Sequence, residues 1–204
     1  MIRPPRTART GGPKSVACAK YGGWLAVACL LAVVPTAAVA QEAAGWRAEL
    51  IADLENSEQK FVGLAEALSW EQYGWRPMAG VRSIGEVFVH VAAGNVQFPQ
   101  LAGHTPIDRL PDALRRLPLW TDPVVPATKA QVIEMLRGSF ENARAAVRTV
   151  RDEDLGATVE APGEPTTYRQ LLMRISNHAH EHLGQQIGYA RTNHVVPPWS
   201  QPHQ

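Results

Sequence analysis

His178 and His182 stand four residues apart in a stretch whose apolar positions recur at helical spacing. On a helix their rings lie one turn apart on one face, close enough to chelate a single ion. Leu171, Ile175, His178, His182, Gln185 and Tyr189 follow alternating steps of four and three, the pattern of an inward helical seam. A third histidine, His90, belongs to another such stretch, where Val87, His90 and Gly94 share the edge of an apolar face built from Ile84, Val87, Phe88, Val91 and Phe98. Any one of these histidines alone reads as an ordinary core or surface residue. Three inward imidazoles without partners would cost about 1–3 kcal/mol each, whereas one shared divalent ion satisfies a nitrogen on every ring. The expected site is therefore one metal on His90, His178 and His182.

The other histidines read as solvated: His180 points off the seam, His104 follows the second helix, His194 sits at a helix exit and His203 lies in the tail. His180-Glu181-His182-Leu183-Gly184 imitates a zinc-protease motif, but that motif's second histidine would fall at Gly184. There is also no repeated Glu-x-x-His pair for a di-iron centre and no Cys-x-x-Cys-His for attached haem.

Four helices must position these residues. The first runs from about Glu42 to Ser69, with Leu50, Leu54, Phe61, Leu64 and Leu68 on one face. Ser83 with Glu86, Thr128 with Gln131 and Thr167 with Gln170 each form the serine or threonine to glutamate or glutamine spacing of a capping box. They open helices reaching to about Leu101, Arg151 and Asn193. The third helix turns Val132, Met135, Leu136, Phe140, Ala143 and Val147 inward. Residues 102–127, rich in Pro and Asp, have the length of a crossover, with room for a short helix around Leu110 to Leu117. Asp152 to Thr166 is a shorter connection able to hold a turn of strand or helix. The expected fold is all-α: an up-down-down-up four-helix bundle with a long crossover between its second and third helices. His90 lies about two turns into its helix and the other two histidines three to four turns into theirs, so antiparallel packing brings all three to mid-height.

The 204 residues, 45% hydrophobic with a formal charge of +1, suffice for one ordinary domain. Residues 1–40 differ from the rest. Arg3, Arg6, Arg9, Lys14 and Lys20 precede an uncharged run from Tyr21 to Gln41 that contains the apolar stretch Trp24 to Val34, then Pro35 and Ala38-Val39-Ala40. That is the layout of a signal peptide cleaved after Ala40, leaving a domain over 41–204 that is periplasmic or secreted and has no membrane span. Cleavage removes five basic and no acidic residues, so 15 basic face 19 acidic ones. A mildly acidic body argues against nucleic acid as a partner. Both cysteines, Cys18 and Cys29, leave with the signal, so nitrogen or oxygen must hold any metal.

Two segments carry a family likeness: Trp75-Arg76-Pro77 followed by Ser83-Ile84-Gly85-Glu86 and His90, and His178-Ala179-His180-Glu181-His182-Leu183-Gly184-Gln185 with Tyr189-Ala190-Arg191 and Val196-Pro197-Pro198. In these the chain resembles the DinB-like (DinB/YfiT) four-helix metalloproteins over nearly all of residues 42–198. The resemblance implies that His90, His178 and His182 are the three ligands, that the ion is zinc, nickel or another divalent first-row metal, and that a homodimer is a common assembly. The family often has a basic residue where Leu183 stands, and a glycine where His194 stands. Asn193 can take the left-handed conformation that ends the helix.

Three neutral nitrogens leave the ion its full charge as a Lewis acid toward bound water or a substrate thiol. Characterised relatives include transferases and isomerases using small thiols, so a thiol-dependent transferase is the first enzyme reading and metal-assisted hydrolysis the second, on a small-molecule substrate that the sequence does not name. Export weighs against the first, since small thiols concentrate in the cytosol. Asn177, Glu181 and Gln185 are candidate helpers, with no catalytic base assigned. The alternative is a non-catalytic periplasmic metal- or ligand-binding module, for which a fourth protein ligand would speak. Trp75, Trp120 and Trp199 fall outside the helices, where such residues cover core ends or line a pocket mouth.

Overall fold

The computed structural model describes residues 36–118, 120–160 and 165–200. The charged and apolar parts of the expected signal lie outside the described residues, as does His203. Four long helices form the body: α1 (Thr36–Ala67), α2 (Ile84–Leu101), α4 (Lys129–Thr149) and α5 (Tyr168–Thr192). The expected cleavage point after Ala40 falls within the first turns of α1. A one-turn helix, α3 (Asp112–Arg115), interrupts the crossover. The connection before α5 holds a short 3-10 turn and an antiparallel pair, β1 (Thr158–Val159) with β2 (Thr166–Thr167). Among the described residues no helix is long and apolar enough to cross a membrane.

All three capping boxes form. Ser83, Thr128 and Thr167 each accept the backbone N–H three residues on, while Glu86, Gln131 and Gln170 reach back to the cap residue's own N–H. Helix direction follows from what meets across the bundle. Arg47 reaches the Val147 carbonyl and Lys129 the Leu68 carbonyl, so α1 and α4 run antiparallel. Gly94 faces His178 and Gln186 bonds the Ile84 carbonyl, so α2 and α5 are antiparallel too. Trp46 lies against Arg169 and Gly63 against Pro198, so α1 and α5 are parallel. This is the up-down-down-up bundle, with α1 and α2 each packed between α4 and α5.

Phe61, Phe88 and Phe140 meet at its centre, Phe61 lying 6.4 Å from Phe88 and 5.8 Å from Phe140 between ring centroids. Helix α2 is buried almost all round because the crossover covers its outer side, Leu110 and Leu114 packing on Val89, Ala92 and Val96. Pro99 lies inside α2 and has no N–H for the Asn95 carbonyl. Asn142 of α4 supplies the missing donor through Nδ2 at 3.1 Å, while its Oδ1 accepts the Ile107 N–H of the crossover. One buried amide thus ties α4, the proline turn and the crossover together.

The expected seam of α5 holds at Leu171 and Ile175 and is displaced by one position from His178 onward. Its buried positions are Leu171, Leu172, Ile175, Ala179, Leu183, Gln186 and Ala190, whereas His178, His182, Gln185 and Tyr189 are half-buried on the flank. A helix of 3.6 residues per turn drifts against a strict seven-residue repeat, and over five turns the drift moves the polar series to the groove with α2.

Candidate metal centre

Helix α2 brings His90, and α5 brings His178 and His182, to the groove where these antiparallel helices meet. Among the described residues they are the one set of His, Cys, Asp or Glu able to hold an ion, with one nitrogen from each lying within 4.8 Å of the others. Ring centroids are 4.5–4.9 Å apart. His178 Nε2 lies 3.1 Å from His90 Nε2. Nitrogens sharing a tetrahedral ion at bond lengths of 2.0–2.1 Å sit roughly 3.3–3.4 Å apart, slightly more than the His90–His178 separation and less than the 4.8 Å within which all three lie, so small ring movements would seat an ion.

Gly94 makes this approach feasible. A Cβ there would lie 2.6 Å from His178 Cε1 and 2.8 Å from Nδ1, so the imidazole occupies the space of a side chain on α2. Gln186, fully buried about two turns further along α5, donates to the Ile84 carbonyl at 2.8 Å and fixes the two helices against each other.

Neighbouring side chains set the ring protons. His90 Nδ1 is 2.6 Å from Asp122 Oδ1, and a carboxylate only accepts, so His90 donates through Nδ1 and turns the lone pair of Nε2 inward. His182 Nδ1 donates to Gln185 Oε1 at 2.8 Å, and the Gln185 amide donates in turn to Tyr189 Oη at 2.9 Å. The lone pair of His182 Nε2 is likewise free. Burial pushes the His178 imidazole down to about 3, with the neighbouring His182 and His90 adding to the effect, and burial also lowers His182. His178 Nδ1 is buried with no hydrogen-bond partner among the described residues. The donor set, all imidazole nitrogen with no thiolate, fits a borderline divalent ion.

Asp122 is absent from the reading of the sequence. It lies on the crossover, where no periodicity marks it. Burial pushes its carboxyl up, but hydrogen bonds from His90 and Arg82 outweigh that and hold it below the ordinary carboxylate range. Gln97 of α2 holds the segment in place: its amide donates to the Thr121 carbonyl at 2.8 Å and the Pro118 carbonyl at 3.3 Å, and its Oε1 accepts the Trp120 N–H at 3.0 Å. Trp120 there has φ 64°, a left-handed conformation that costs a bulky residue about 1–3 kcal/mol.

Beside His182 opens a cleft of about 810 Å³ lined by Arg76, Arg82, Glu86, Glu181 and Gln185. Glu181 and Gln185 are thus at the site, while Asn177 lines a separate cleft with Gln170 and Arg174. Leu183, where the family resemblance leads one to look for a basic residue, is buried in the core, and the cations near the cluster are Arg76 and Arg82 from the link before α2.

Two further expectations are corrected and one is extended. His104 is half-buried rather than solvated, with burial lowering its imidazole and Nε2 left without a partner. His180, exposed as expected, also bonds Asp53 of α1 through Nε2 at 2.9 Å. His194 itself adopts the left-handed conformation after α5, with φ 60°, while Asn193 stays at φ −92°. Of the three tryptophans, Trp75 covers the core and meets Tyr189 edge-on at 5.3 Å, Trp199 sits over Gly63, and Trp120 is 56% exposed against Phe98.

Fold and site together define a helical bundle with a three-histidine cluster in the groove between two antiparallel helices. The sequence profile of the DinB superfamily matches residues 53–186, and the chain belongs to that superfamily. No curated protein matches it. Among solved structures, a DinB-like protein from Bacillus subtilis superposes with a TM-score of 0.56 at 20% identity, covering 76% of this chain and 99% of that one. A DinB-like protein from Bacillus cereus gives 0.54 at 18% identity, covering 70% and 89%. At these identities the likeness is one of fold.

Proposed function

We propose that this is an exported metal-dependent enzyme of the DinB superfamily, holding one divalent first-row ion, zinc or nickel, on His90, His178 and His182. The observation that carries the reading is the convergence of three imidazoles, two of them with Nδ1 committed to Asp122 and Gln185, so that Nε2 is left as the ligating nitrogen. Such an ion supplies Lewis acidity toward a small nucleophile. The chain's own residues do the rest: Asp122 and Gln185 fix ring orientation, Gly94 admits His178, and Glu181 stands exposed on the wall of the adjoining cleft.

A thiol transferase ranks ahead of a hydrolase within this reading, and a non-catalytic binding module is the alternative. The cleft beside His182 favours an enzyme, because a structural ion is normally enclosed by four protein ligands. Export rests on the layout of residues 1–40, and cell fractionation tests it: the processed chain is expected outside the cytoplasm.

For activity, the zinc- and nickel-loaded protein is assayed for transfer of a small thiol to an electrophile and for ester hydrolysis. The expected result is turnover that disappears with chelator and in His90→Ala. Full metal affinity in His90→Ala contradicts the three-histidine site, and a loaded protein inert in both assays favours the binding module.

A further inference from the structure

We infer that the cleft beside His182 receives small organic anions, with Arg76 and Arg82 gripping the carboxylate or phosphonate end of a ligand that reaches toward the histidine cluster. The inference deepens the proposed function and rests on it for the nature of the cluster.

Both guanidiniums are fixed before any ligand arrives. Arg76 donates through Nη1 to the Val81 carbonyl at 2.9 Å and through Nη2 to Glu86 Oε1 at 3.0 Å. Arg82 spends Nε and Nη2 on Asp122 Oδ2, at 2.9 and 2.8 Å. A guanidinium has five N–H groups, so each arginine keeps several donors unspent, and both side chains are more than two-fifths exposed. Holding a guanidinium in place in advance reduces the ordering cost of binding an anion.

The nearby carboxylates do not cancel this charge equally. Glu86 is engaged by both oxygens, accepting the Ser83 N–H at 2.7 Å and the Arg76 guanidinium. Asp122 is engaged by His90 and Arg82. Glu181 alone lines the cleft without such a partner among the described residues. The two guanidiniums nearly balance Glu86, Asp122 and Glu181, so a bound divalent ion would tip the cleft to a net positive charge and concentrate anions there. Its volume is that of a small-molecule site, and its walls are polar, as suits a charged ligand.

The test uses full-length protein loaded with cobalt(II), whose visible absorption reports on the ion's surroundings. Glutarate, its uncharged diamide and methylphosphonate are titrated into wild type, Arg76→Met and Arg76→Lys. Arg76 lies in an exposed pair whose loss leaves the fold intact. Both anions are expected to perturb the spectrum and the diamide to leave it unchanged. Arg76→Met should weaken the anions about tenfold or more, and Arg76→Lys should restore part of the loss. Cobalt that loads normally, with equal responses to glutarate and diamide or with unchanged affinity in Arg76→Met, overturns the anion inference alone. Failure of cobalt to load overturns the metal site and this inference together.

Discussion

The α1–α4 groove and the α2–α5 groove both join antiparallel helices, yet they handle polar groups in opposite ways. Along α1 and α4, charges are matched: Arg47 with Asp152 just beyond α4, Glu58 with Arg144, Glu66 with Arg137, and Lys129 bonding the carbonyls of Glu66 in α1 and of Leu68 just past it. Along α2 and α5 no such ladder exists among the described residues; a buried amide, a glycine and three imidazoles take its place. One groove pairs its charges internally and serves stability. The other gathers three imidazoles that could hold an ion.

Gly94→Ala breaks this contrast most directly. Alanine in a helix interior is ordinarily favourable over glycine by up to about 1 kcal/mol. Here its methyl meets the His178 ring, and overpacking of this kind costs about 1–3 kcal/mol. The strain is relieved by displacing the ring, so a metal titration should show a roughly 10–100-fold loss of affinity while thermal stability without metal changes little. Asp122→Ala frees His90 to turn and should weaken metal binding by about 10–100-fold in the same titration. In the other groove, Glu58→Ala leaves a mostly buried guanidinium unpaired and should cost about 1–2 kcal/mol in urea unfolding, with metal affinity unchanged. A metal defect in Glu58→Ala would show that the two grooves are not separate in function.

A smaller effect is expected from pH. Burial lowers His178, His182 and His104 in the folded chain, so below about pH 6.5 the unfolded chain binds more protons than the folded one. Stability of the metal-free protein is thus fully present near neutrality and falls as pH drops below about 6.5 toward about 3, the folded value of His178, a trend that chemical denaturation at several pH values measures. Replacing His178 with Gln should flatten it. Arg137→Ala, breaking an exposed pair, should change stability by less than about 0.5 kcal/mol.

The helices and the three histidines were legible because both are periodic: apolar spacing marks each face, and a cap begins three of the four helices. The seam of α5 was read one position off from His178 onward because a seven-residue repeat was extended along a helix that does not keep it. Asp122 and Gln97 escaped notice since their pairing spans an irregular crossover, where sequence distance says nothing about contact. Gly94 stood on the correct edge of α2, but only the packed structure shows that its missing side chain is replaced by the His178 ring. The proline in α2 could be seen, whereas the amide from Asn142 that repairs it could not.

Elemental analysis of purified protein, wild type beside the His178→Ala, His182→Ala double variant, tests the central claim most directly. About one equivalent of a divalent first-row metal in the wild type and none in the double variant is the predicted result. Wild type that stays metal-free after reloading, or a double variant that keeps its metal, would contradict the assignment of the α2–α5 groove as a metal centre.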